Sequence, residues 1–469
     1  MNKTKYISEE EMTAQADYSE RVRKIACADG KTKYCYMQTF GCQQNEADSE
    51  RIAGMARAMG FEPTETAQQA DMIVVNTCAV REHAELKALS ITGQFKHLKE
   101  KKPELLIGIC GCMVSQEHRE DDIKHKYPYV DFLFGTSMLY RFPEIVYKTV
   151  TQKKRQFFLD DNEGNIAEGM PIVRKNPVQS WVSIMYGCNN FCTYCVVPYV
   201  RGRERSRKPA CILQEVRQLA QNGCKEITLL GQNVNSYGKD LEDGIDFPDL
   251  LEQVCRIEGD FTVRFMTSHP KDASEKLISL MAREPKIAKQ FHLPLQSGSD
   301  RVLKRMNRKY TREDYLELLR KMRCLMPDIT ISTDIIVGFP GETEEDFEQT
   351  LTALKEARYD SLFSFIYSPR VGTPAASYPD QISPEVKKER FARLLETQNA
   401  ISLQKNREMI GRVVDVMTEG VSKTDEKVYS GRTNGNKLVH FTAASAFGGE
   451  MKKILIRDAE FFALYGEEI

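Results

Sequence analysis

The sequence predicts an α/β protein in three parts, and two observations predict it. Short apolar runs alternate with amphipathic helical stretches from about residue 33 to 405, the pattern of parallel sheets built from βα units. Beyond Gly411 short β-like runs separated by Gly, Asn and Asp replace this alternation. We therefore expect a doubly wound α/β domain over residues 33–150, a partial (β/α)6 barrel over 178–405 and a small antiparallel β-barrel over 406–469.

The composition is that of an ordinary globular protein, with 41% hydrophobic and 28% charged residues. No apolar run reaches the ~18 residues of a membrane span, and the polar stretch 1–20 lacks the apolar centre of a signal peptide. We therefore expect a cytoplasmic protein without membrane contact. Because the formal net charge is −1, a nucleic-acid partner would have to be held by local patches.

Thirteen cysteines is a high and odd number. In a reducing compartment they do not form a disulfide framework, so metal binding or redox chemistry is the better interpretation. Free cysteine is also among the most buried residue types. We assign to ordinary packing Cys211, Cys224, Cys255 and Cys324.

In the N-terminal part, residues 1–32 look like a loosely tethered arm or a short helix. Strands are expected at 34–39, 71–76, 105–109 and 130–134, with helices at 48–59 and 84–99.

Three cysteines, here called the strand-end cysteines, follow the first three of these strands: Cys42, Cys78 and Cys112. Ligands in open α/β sheets bind beyond the carboxyl ends of the strands, so the three thiols are expected to converge there. They suggest an iron–sulfur cluster with three protein ligands and an open iron. The alternative is three unrelated core or loop cysteines. Cys110, the rival of Cys112, continues its strand and is assigned to packing, as is Cys35.

Residues 151–177 are expected to form a linker or a hairpin between domains. They carry a basic run at 153–155, an acidic stretch at 160–163, and two prolines, Pro171 and Pro177.

Six strands are expected in the central part, at 181–185, 226–230, 262–266, 290–295, 329–337 and 361–367. Helices between them include 311–325 and 343–357, the latter opened by a capping box of Thr343 and Asp346. Polar residues follow several strands, and in a βα barrel the chemistry lies at that face. A full barrel has eight units, so six imply an open barrel with a lateral mouth for a large substrate.

The first βα unit of this part carries the cysteine triplet, Cys188, Cys192 and Cys195. Three thiolates this close must lie on one compact loop. A disulfide would leave the third sulfur unpaired. A tetrahedral zinc site takes four protein ligands, or three plus water. A cubane iron–sulfur cluster usually takes four cysteines, so three leave one iron open for another ligand. Zinc or a chance cluster is the lesser alternative.

A basic run follows the triplet and contains Arg201, Arg203, Arg205, Arg207 and Lys208. Charge runs are usually solvated surface, but its place beside the triplet favours contact with phosphates, which such residues hold without reading sequence. For a second cationic set a helix surface is the preferred interpretation. This set comprises Arg301, Lys304, Arg305, Arg308 and Lys309.

At the C-terminus, β-like runs at 412–417, 427–433, 437–441 and 453–464 indicate a small barrel of a kind that often binds RNA. Residues 401–469 contain ten Lys and Arg and ten Asp and Glu, so charge alone does not establish RNA binding.

The triplet, with Tyr194 before its last cysteine, resembles the signature of the radical S-adenosylmethionine superfamily. The stretches 40–50, 76–82 and 196–204 extend the resemblance over nearly the whole chain to the radical S-adenosylmethionine methylthiotransferases. In that family a methylthiotransferase domain precedes the radical core and a C-terminal TRAM domain. The stretches are most similar to those of the bacterial enzymes that act on isopentenyladenosine in tRNA, with Gln44 a small departure.

The resemblance implies two 4Fe–4S clusters, each with three cysteine ligands. The cluster on the triplet would donate an electron to S-adenosylmethionine, giving a 5′-deoxyadenosyl radical that abstracts hydrogen from C2 of the adenine. The cluster on the strand-end cysteines would hold the sulfur, which a second S-adenosylmethionine methylates before its transfer to C2. The expected contacts with S-adenosylmethionine are Tyr194, Gln232, Asn233, Ser268, Gln296 and Asp334. Each of these also has an ordinary explanation as a turn, cap or satisfied polar residue, and His269 and His292 are expected to be packed rather than catalytic.

The implied partner is the anticodon stem-loop of a tRNA carrying isopentenyladenosine, held by the basic run with its base unstacked, since C2 inside a stack is unreachable. An electron donor such as flavodoxin or ferredoxin and a protein that supplies sulfur or clusters are also implied. We expect a monomer.

Three alternatives stay open. A sibling methylthiotransferase would act on threonylcarbamoyladenosine in tRNA or on an aspartate of a ribosomal protein. A non-catalytic iron–sulfur carrier would bind RNA through its β domain. The strand-end cysteines would be zinc ligands in the third alternative.

Overall fold

The computed structural model describes residues 4–80, 82–159, 164–422 and 425–469, without the side chain of residue 117. The acidic stretch 160–163 therefore lies outside the described residues, as do the first three residues of the N-terminal arm and Arg81 of the stretch 76–82.

The N-terminal part is a six-stranded, fully parallel sheet in the order β2-β1-β3-β4-β5-β6. Its strands are β1 (Lys33–Thr39), β2 (Phe61–Thr64), β3 (Met72–Thr77), β4 (Leu106–Gly111), β5 (Phe132–Phe134) and β6 (Gln156–Phe158). The four predicted strands are present, and the short edge strands β2 and β6 were missed. Pro63 in β2 is tolerated because an edge strand can leave one backbone position without a donor. Strand β6 lies inside the segment predicted as a linker.

Helices cover both faces of this sheet. They are α1 (Glu9–Ala26), α2 (Gln43–Ala58), α3 (Glu82–Gln94), α4 (Lys96–Lys101), α5 (Glu117–Lys126) and α6 (Phe142–Gln152). The expectation of a loose N-terminal arm is wrong for α1, because Val22 and Ala26 are buried in the core beside Ile52 and Met55. Helix α2 begins directly after Cys42, five residues before the predicted start of this helix.

The central part is an open barrel of six parallel strands, as predicted. The strands are β7 (Gln179–Ser183), β10 (Glu226–Leu230), β11 (Thr262–Met266), β12 (Gln290–His292), β13 (Thr330–Val337) and β14 (Ser361–Ile366). They form two three-stranded sheets, β11-β10-β7 and β12-β13-β14. Two short strands, β8 (Met185–Tyr186) and β9 (Arg205–Ser206), pair antiparallel and fold the basic run back onto the barrel.

Helices enclose the apolar core of this barrel. They are α7 (Val197–Val200), α8 (Pro209–Gln221), α9 (Phe247–Cys255), α10 (Glu275–Arg283), α11 (Asp300–Arg305), α12 (Arg312–Leu325), α13 (Glu344–Ala357) and α14 (Pro384–Arg407). The predicted capping box of Thr343 and Asp346 opens α13.

The C-terminal part is a closed five-stranded barrel in the order β15-β16-β17-β19-β18. Its strands are β15 (Val413–Val421), β16 (Tyr429–Thr433), β17 (Leu438–Thr442), β18 (Met451–Ala459) and β19 (Leu464–Glu468). The last predicted run, 453–464, covers most of β18, the turn that follows it and only the first residue of β19. The pair β17–β19 is parallel, whereas the other pairs are antiparallel.

Among the described helices, none has the length and apolar character needed to cross a membrane.

Candidate active site

The two sets of cysteines meet at one cavity of about 520 Å³ between the N-terminal sheet and the mouth of the barrel. Its wall includes Cys42 and Cys78 from the strand-end set and all three cysteines of the triplet. Cys112 is buried just behind, packed with Ala79, Val196 and Val200. Members of both sets therefore reach the same cavity. Among the described residues, however, no three His, Cys, Asp or Glu side chains are grouped closely enough to hold a metal ion, so the convergence of all three strand-end thiols on one cluster stays a prediction.

The strand-end cysteines are held by a hydrogen-bonded pair of asparagines that the sequence did not single out. Asn45 Nδ2 donates to Asn76 Oδ1 at 3.1 Å and to the Thr77 carbonyl at 3.0 Å. Asn76 Nδ2 in turn donates to the Asn45 carbonyl at 2.9 Å. Gly111, before Cys112, has φ 95°, and a Cβ there would lie 2.3 Å from Asn76 Oδ1. The loops after β1, β3 and β4 are therefore tied together at the edge of the sheet.

The triplet lies on a tight loop with two left-handed backbone positions, Gly187 at φ 72° and Phe191 at φ 45°. A Cβ on Gly187 would lie 2.0 Å from the Arg203 carbonyl oxygen, so only glycine fits. Asn307 Nδ2 donates to the carbonyls of Asn190 and Phe191 at 3.2 and 3.0 Å. These contacts fix the loop that presents the three thiols.

Burial disfavours the charged form of several of these thiols. It raises the pKa of Cys188 to about 12 and raises the pKa of Cys195 still further. The pKa of Cys112 is also raised to about 12, chiefly by burial, which the cation of Arg201 opposes. Metal ligation requires thiolates and therefore releases these protons.

Five of the six residues expected to contact S-adenosylmethionine line the cavity: Tyr194, Gln232, Ser268, Gln296 and Asp334. Asn233 does not, which corrects the expectation for that residue. Its side chain is buried behind the wall, where Nδ2 donates to Asp272 Oδ2 at 2.7 Å.

The wall fits a polar cofactor. Gln296 Oε1 is buried and lacks a hydrogen-bond partner among the described residues. Gln296 and Thr267 both hold left-handed backbone conformations, with φ 73° and 70°, at the carboxyl ends of the barrel strands. Such strain in residues other than glycine concentrates at ligand sites.

Both histidines reach the cavity wall, which the sequence did not indicate. Burial, assisted by the cation of Arg308, lowers the pKa of His269 to about 2, so its imidazole is neutral. His292 Nδ1 lies 3.0 Å from Ser332 Oγ, and its Nε2 lies 3.4 Å from Asp334 Oδ1. Both rings are packed and bonded in place, as expected.

Burial contradicts the expectation that Arg201, Arg205 and Arg207 hold phosphates. Arg205 Nη2 donates to the Arg201 carbonyl at 3.1 Å. Arg207 pairs with Glu168 and Glu215 at 2.7 and 2.8 Å. Arg203 is exposed, with its guanidinium 4.2 Å from the centre of the Phe191 ring.

The second cationic set is divided between surface and core. Arg301 and Arg305 lie on α11 and pair with Asp346 and Asp380, as a helix surface predicts. Arg308 is buried instead and lines the cavity, with Nη1 3.4 Å from Cys192 Sγ. Its role at the site was missed, because a cation after a helix is more often solvated.

Another part of the wall is apolar and includes Val80, Phe363 and Phe365. Phe363 is 48% exposed although its ring packs edge-on against His292. Arg370 Nη2 donates to the Val80 carbonyl at 3.0 Å, which fastens the loop after Cys78 to the barrel. The cavity therefore has both a polar, cysteine-rich part and an apolar part open to solvent.

Two families match separate parts of the chain. The Radical SAM superfamily matches residues 182–354, and the family described as "Uncharacterized protein family UPF0004" matches residues 34–135. The first match contains the triplet and the second contains the strand-end cysteines.

Solved structures agree in fold. The radical S-adenosylmethionine methyltransferase TsrM from Kitasatospora setae aligns with a TM-score of 0.55 at 12% identity, covering 79% of this chain and 89% of that one. The cobalamin-dependent S-adenosylmethionine radical enzyme OxsB aligns with a TM-score of 0.50 at 14% identity, covering 79% of this chain and 56% of that one. At these identities the likeness concerns the fold alone.

Several curated relatives match almost the whole chain and share one name. The tRNA-2-methylthio-N(6)-dimethylallyladenosine synthase of Acetivibrio thermocellus is 50% identical over 465 residues, covering 98% of this chain and 97% of that one. Synthases of the same name from Caldicellulosiruptor saccharolyticus and Thermoanaerobacter sp. are 50% and 48% identical, each covering at least 97% of both chains. These matches confirm the resemblance that the motifs predicted. The chain belongs to the tRNA-2-methylthio-N(6)-dimethylallyladenosine synthases, a family of radical S-adenosylmethionine methylthiotransferases.

Proposed function

We propose that this enzyme adds a methylthio group at C2 of N6-isopentenyladenosine, the same base as dimethylallyladenosine, beside the anticodon of tRNA. The observation that carries the proposal is one cavity lined by all three cysteines of the triplet and by two of the strand-end cysteines, Cys42 and Cys78. Near-full-length relatives of this name support the choice of substrate. A methylthiotransferase needs a radical source and a sulfur source within reach of one carbon atom, and one shared cavity meets that need.

The radical S-adenosylmethionine family implies one 4Fe–4S cluster and S-adenosylmethionine. We assign this cluster to Cys188, Cys192 and Cys195, and a second 4Fe–4S cluster to the strand-end cysteines. When bound, these groups supply the 5′-deoxyadenosyl radical that removes hydrogen from C2 and the sulfur that replaces it. Three thiols in each set leave one iron without a protein ligand.

The chain's own residues position the reactants. The polar residues Gln232, Ser268, Gln296 and Asp334 line the cavity where S-adenosylmethionine is expected. Their side chains supply both donors and acceptors for its amino, carboxylate and ribose groups. The neutral His269 adds no cation to this wall.

The apolar part of the cavity favours isopentenyladenosine over threonylcarbamoyladenosine. An isopentenyl group gains free energy on contact with the exposed faces of Val80 and Phe363. The threonylcarbamoyl group carries a carboxylate, which would lose hydration against these apolar side chains. The nearby guanidinium groups already have partners, Arg370 in the Val80 carbonyl and Arg308 in the Pro294 carbonyl. The base must leave its stack to reach the cavity, and exposed Arg203 remains our choice for a phosphate contact.

The other expected partners belong to the same proposal: an electron donor such as flavodoxin or ferredoxin, and a protein that supplies sulfur or clusters. We place the reaction in the cytoplasm and expect a monomer to carry it out.

Mass spectrometry of tRNA nucleosides from a deletion strain tests the proposal. We expect isopentenyladenosine to accumulate without its methylthio group and the group to return on complementation with the intact gene. Persistence of the methylthio group on isopentenyladenosine in the deletion strain would show that the substrate is wrong. Loss of the group from threonylcarbamoyladenosine instead would identify a sibling enzyme. A non-catalytic carrier would form no 5′-deoxyadenosine from S-adenosylmethionine under anaerobic reduction.

A further inference from the structure

Arg201 joins the two cysteine sets. It belongs to the Radical SAM match and comes six residues after Cys195, yet its Nε lies 3.1 Å from the sulfur of Cys112 in the N-terminal domain. Its Nη2 donates to Asp48 Oδ2 at 2.9 Å. The residue is only 5% exposed.

A guanidinium stays charged under all physiological conditions, so burying one requires partners. Asp48 supplies one negative charge. A second contact is with the sulfur of Cys112, which accepts a hydrogen bond from the guanidinium. The buried guanidinium is therefore placed to hold the sulfur of Cys112 by a hydrogen bond while Asp48 balances its charge.

The route from the triplet to Arg201 is short and well packed. Helix α7 (Val197–Val200) spans it, with Pro198 in its first turn. Val196 and Val200 pack directly on Ala79 and Cys112. A displacement of either cysteine set would be transmitted through this contact to the other set.

We propose that Arg201 is a positioning residue for the second cluster. It holds this cluster through the sulfur of Cys112 and fixes the position of the cluster relative to the triplet. The inference rests on the strand-end cluster of the proposed function. Hydrogen bonds to ligand sulfurs help to set the reduction potential of iron–sulfur clusters. An N–H group directed at Cys112 should therefore raise the potential of the second cluster as well as its retention.

Arg207 provides a matched control. It lies in the same run and is equally buried, but its partners are Glu168 and Glu215 rather than a sulfur. A general effect of losing a buried arginine should appear in both variants, whereas an effect on the cluster should appear only with Arg201.

The test uses full-length protein in which Cys188, Cys192 and Cys195 are all replaced by alanine, so that only the strand-end set can hold iron. Into this parent we would introduce Arg201→Gln, Arg201→Lys or Arg207→Gln. Each protein is reconstituted anaerobically with iron and sulfide. Iron and sulfide content, the electron paramagnetic resonance spectrum of the reduced state and the midpoint potential are then measured.

We expect Arg201→Gln to retain its cluster roughly 10- to 100-fold more weakly than the parent, the usual effect of losing an outer contact to a metal ligand. Arg201→Lys keeps the charge but lacks the planar fork. The iron content of Arg201→Lys should equal that of the parent, whereas its midpoint potential should be lower and its spectrum altered. Arg207→Gln should match the parent in all three measurements. If Arg201→Gln does not fold, the spectrum and potential of Arg201→Lys decide the question.

Parental values of iron content, spectrum and potential in both Arg201 variants would overturn the inference and leave the second cluster intact. A parent that binds no iron would overturn the second cluster itself, and the inference with it. Equal losses in the Arg207→Gln and Arg201→Gln proteins would also overturn it, because they would reveal a general packing effect.

Discussion

Arg207 donates to Glu215 at 2.8 Å inside the protein, where both side chains are almost fully shielded from water. Glu215 also accepts from Arg174 Nη2 at 2.5 Å, and Arg174 Nη1 donates to Glu50 at 2.8 Å. Glu50 belongs to α2 of the N-terminal domain and Glu215 to α8 of the barrel. This chain of ion pairs therefore holds the two cysteine-bearing domains together behind the cavity.

Glu215 makes the protein's stability sensitive to acid. Burial alone would raise the pKa of Glu215, but Arg207, Arg51 and Arg174 outweigh it and hold the pKa at about 2, below the ordinary value of 4.5. The contribution of ionised Glu215 to the free energy of unfolding is therefore fully present above pH 4.5 and is lost as the pH falls towards 2.

We expect Glu215→Gln to lower the free energy of unfolding by about 3 kcal/mol at neutral pH, because it leaves buried cations without a partner. The difference from wild type should shrink between pH 4.5 and 2. Urea unfolding at several pH values measures it, with Glu252→Gln on the exposed face of α9 as the control. A difference that does not change with pH would contradict the assignment.

Replacing the cysteine sets separately should separate the two activities. Alanine at all three triplet positions should abolish formation of 5′-deoxyadenosine, because the radical source is lost. Alanine at Cys42, Cys78 and Cys112 should leave that formation in place and abolish the methylthio product. Each change should lower the iron content by about half.

Alanine at Cys35 and Cys110 is the control, since both are buried in or beside the sheet and lie off the cavity. An iron content unchanged by loss of the strand-end cysteines would remove the second cluster. Zinc in place of iron at these positions would establish the zinc alternative.

Gly187→Ala should disable the triplet loop. The substitution places a methyl group 2.0 Å from the Arg203 carbonyl oxygen at a left-handed backbone position. The loop must move, so we expect the triplet's cluster to be lost, as measured by iron content and 5′-deoxyadenosine. Gly244→Ala has nearly the same φ, 71°, with no atom within 4 Å of its Cβ. Gly244→Ala should lose only the about 1–2 kcal/mol that a left-handed backbone costs a residue with a Cβ, and it should retain iron. Equal iron loss in both variants would refute the steric explanation.

Phe363→Ala should weaken recognition of the isopentenyl group. Losing this apolar face should raise KM for the isopentenylated anticodon stem-loop by about 10-fold, while formation of 5′-deoxyadenosine without RNA stays at the wild-type level. Leu325→Ala removes a comparably exposed apolar side chain, 54% against 48% for Phe363, that does not line the cavity, and it should change neither value. Steady-state kinetics decide the outcome, and an unchanged KM in Phe363→Ala would count against the apolar wall as the isopentenyl site.

Arg203→Gln should weaken tRNA binding in a manner that depends on salt. If Arg203 contacts a phosphate, binding of the variant releases about one counterion fewer. The slope of log K for tRNA binding against log salt concentration should then become shallower by about one. Fluorescence anisotropy over a range of salt concentrations provides the measurement. Arg256, exposed at the C-terminal end of α9 and paired with Glu252, is the control. A parallel salt dependence for wild type and Arg203→Gln would exclude a phosphate contact.

Local patterns identified most of the secondary structure. The strands of the barrel were predicted within a few residues, because their apolar runs are bounded by clear turn residues. Strand β2 was missed because its four residues include a proline, and β6 because a three-residue edge strand leaves too short a pattern. The N-terminal helix was underestimated, since its buried residues acquire a partner only when α6 packs against it.

By itself the sequence determined the cysteine spacing, the order of the three domains and the family, because these depend on residues close along the chain or on whole motifs. Only the tertiary structure decided which arginines are exposed. Arg201, Arg203 and Arg207 lie within seven residues, yet one binds a cysteine sulfur, one faces solvent and one pairs with glutamates. The partners of these arginines come from distant segments, as far as the 153 residues between Arg201 and Asp48. A local charge pattern contains no information about such partners. The contact of Arg201 with Cys112 likewise depends on how the N-terminal sheet packs against the barrel.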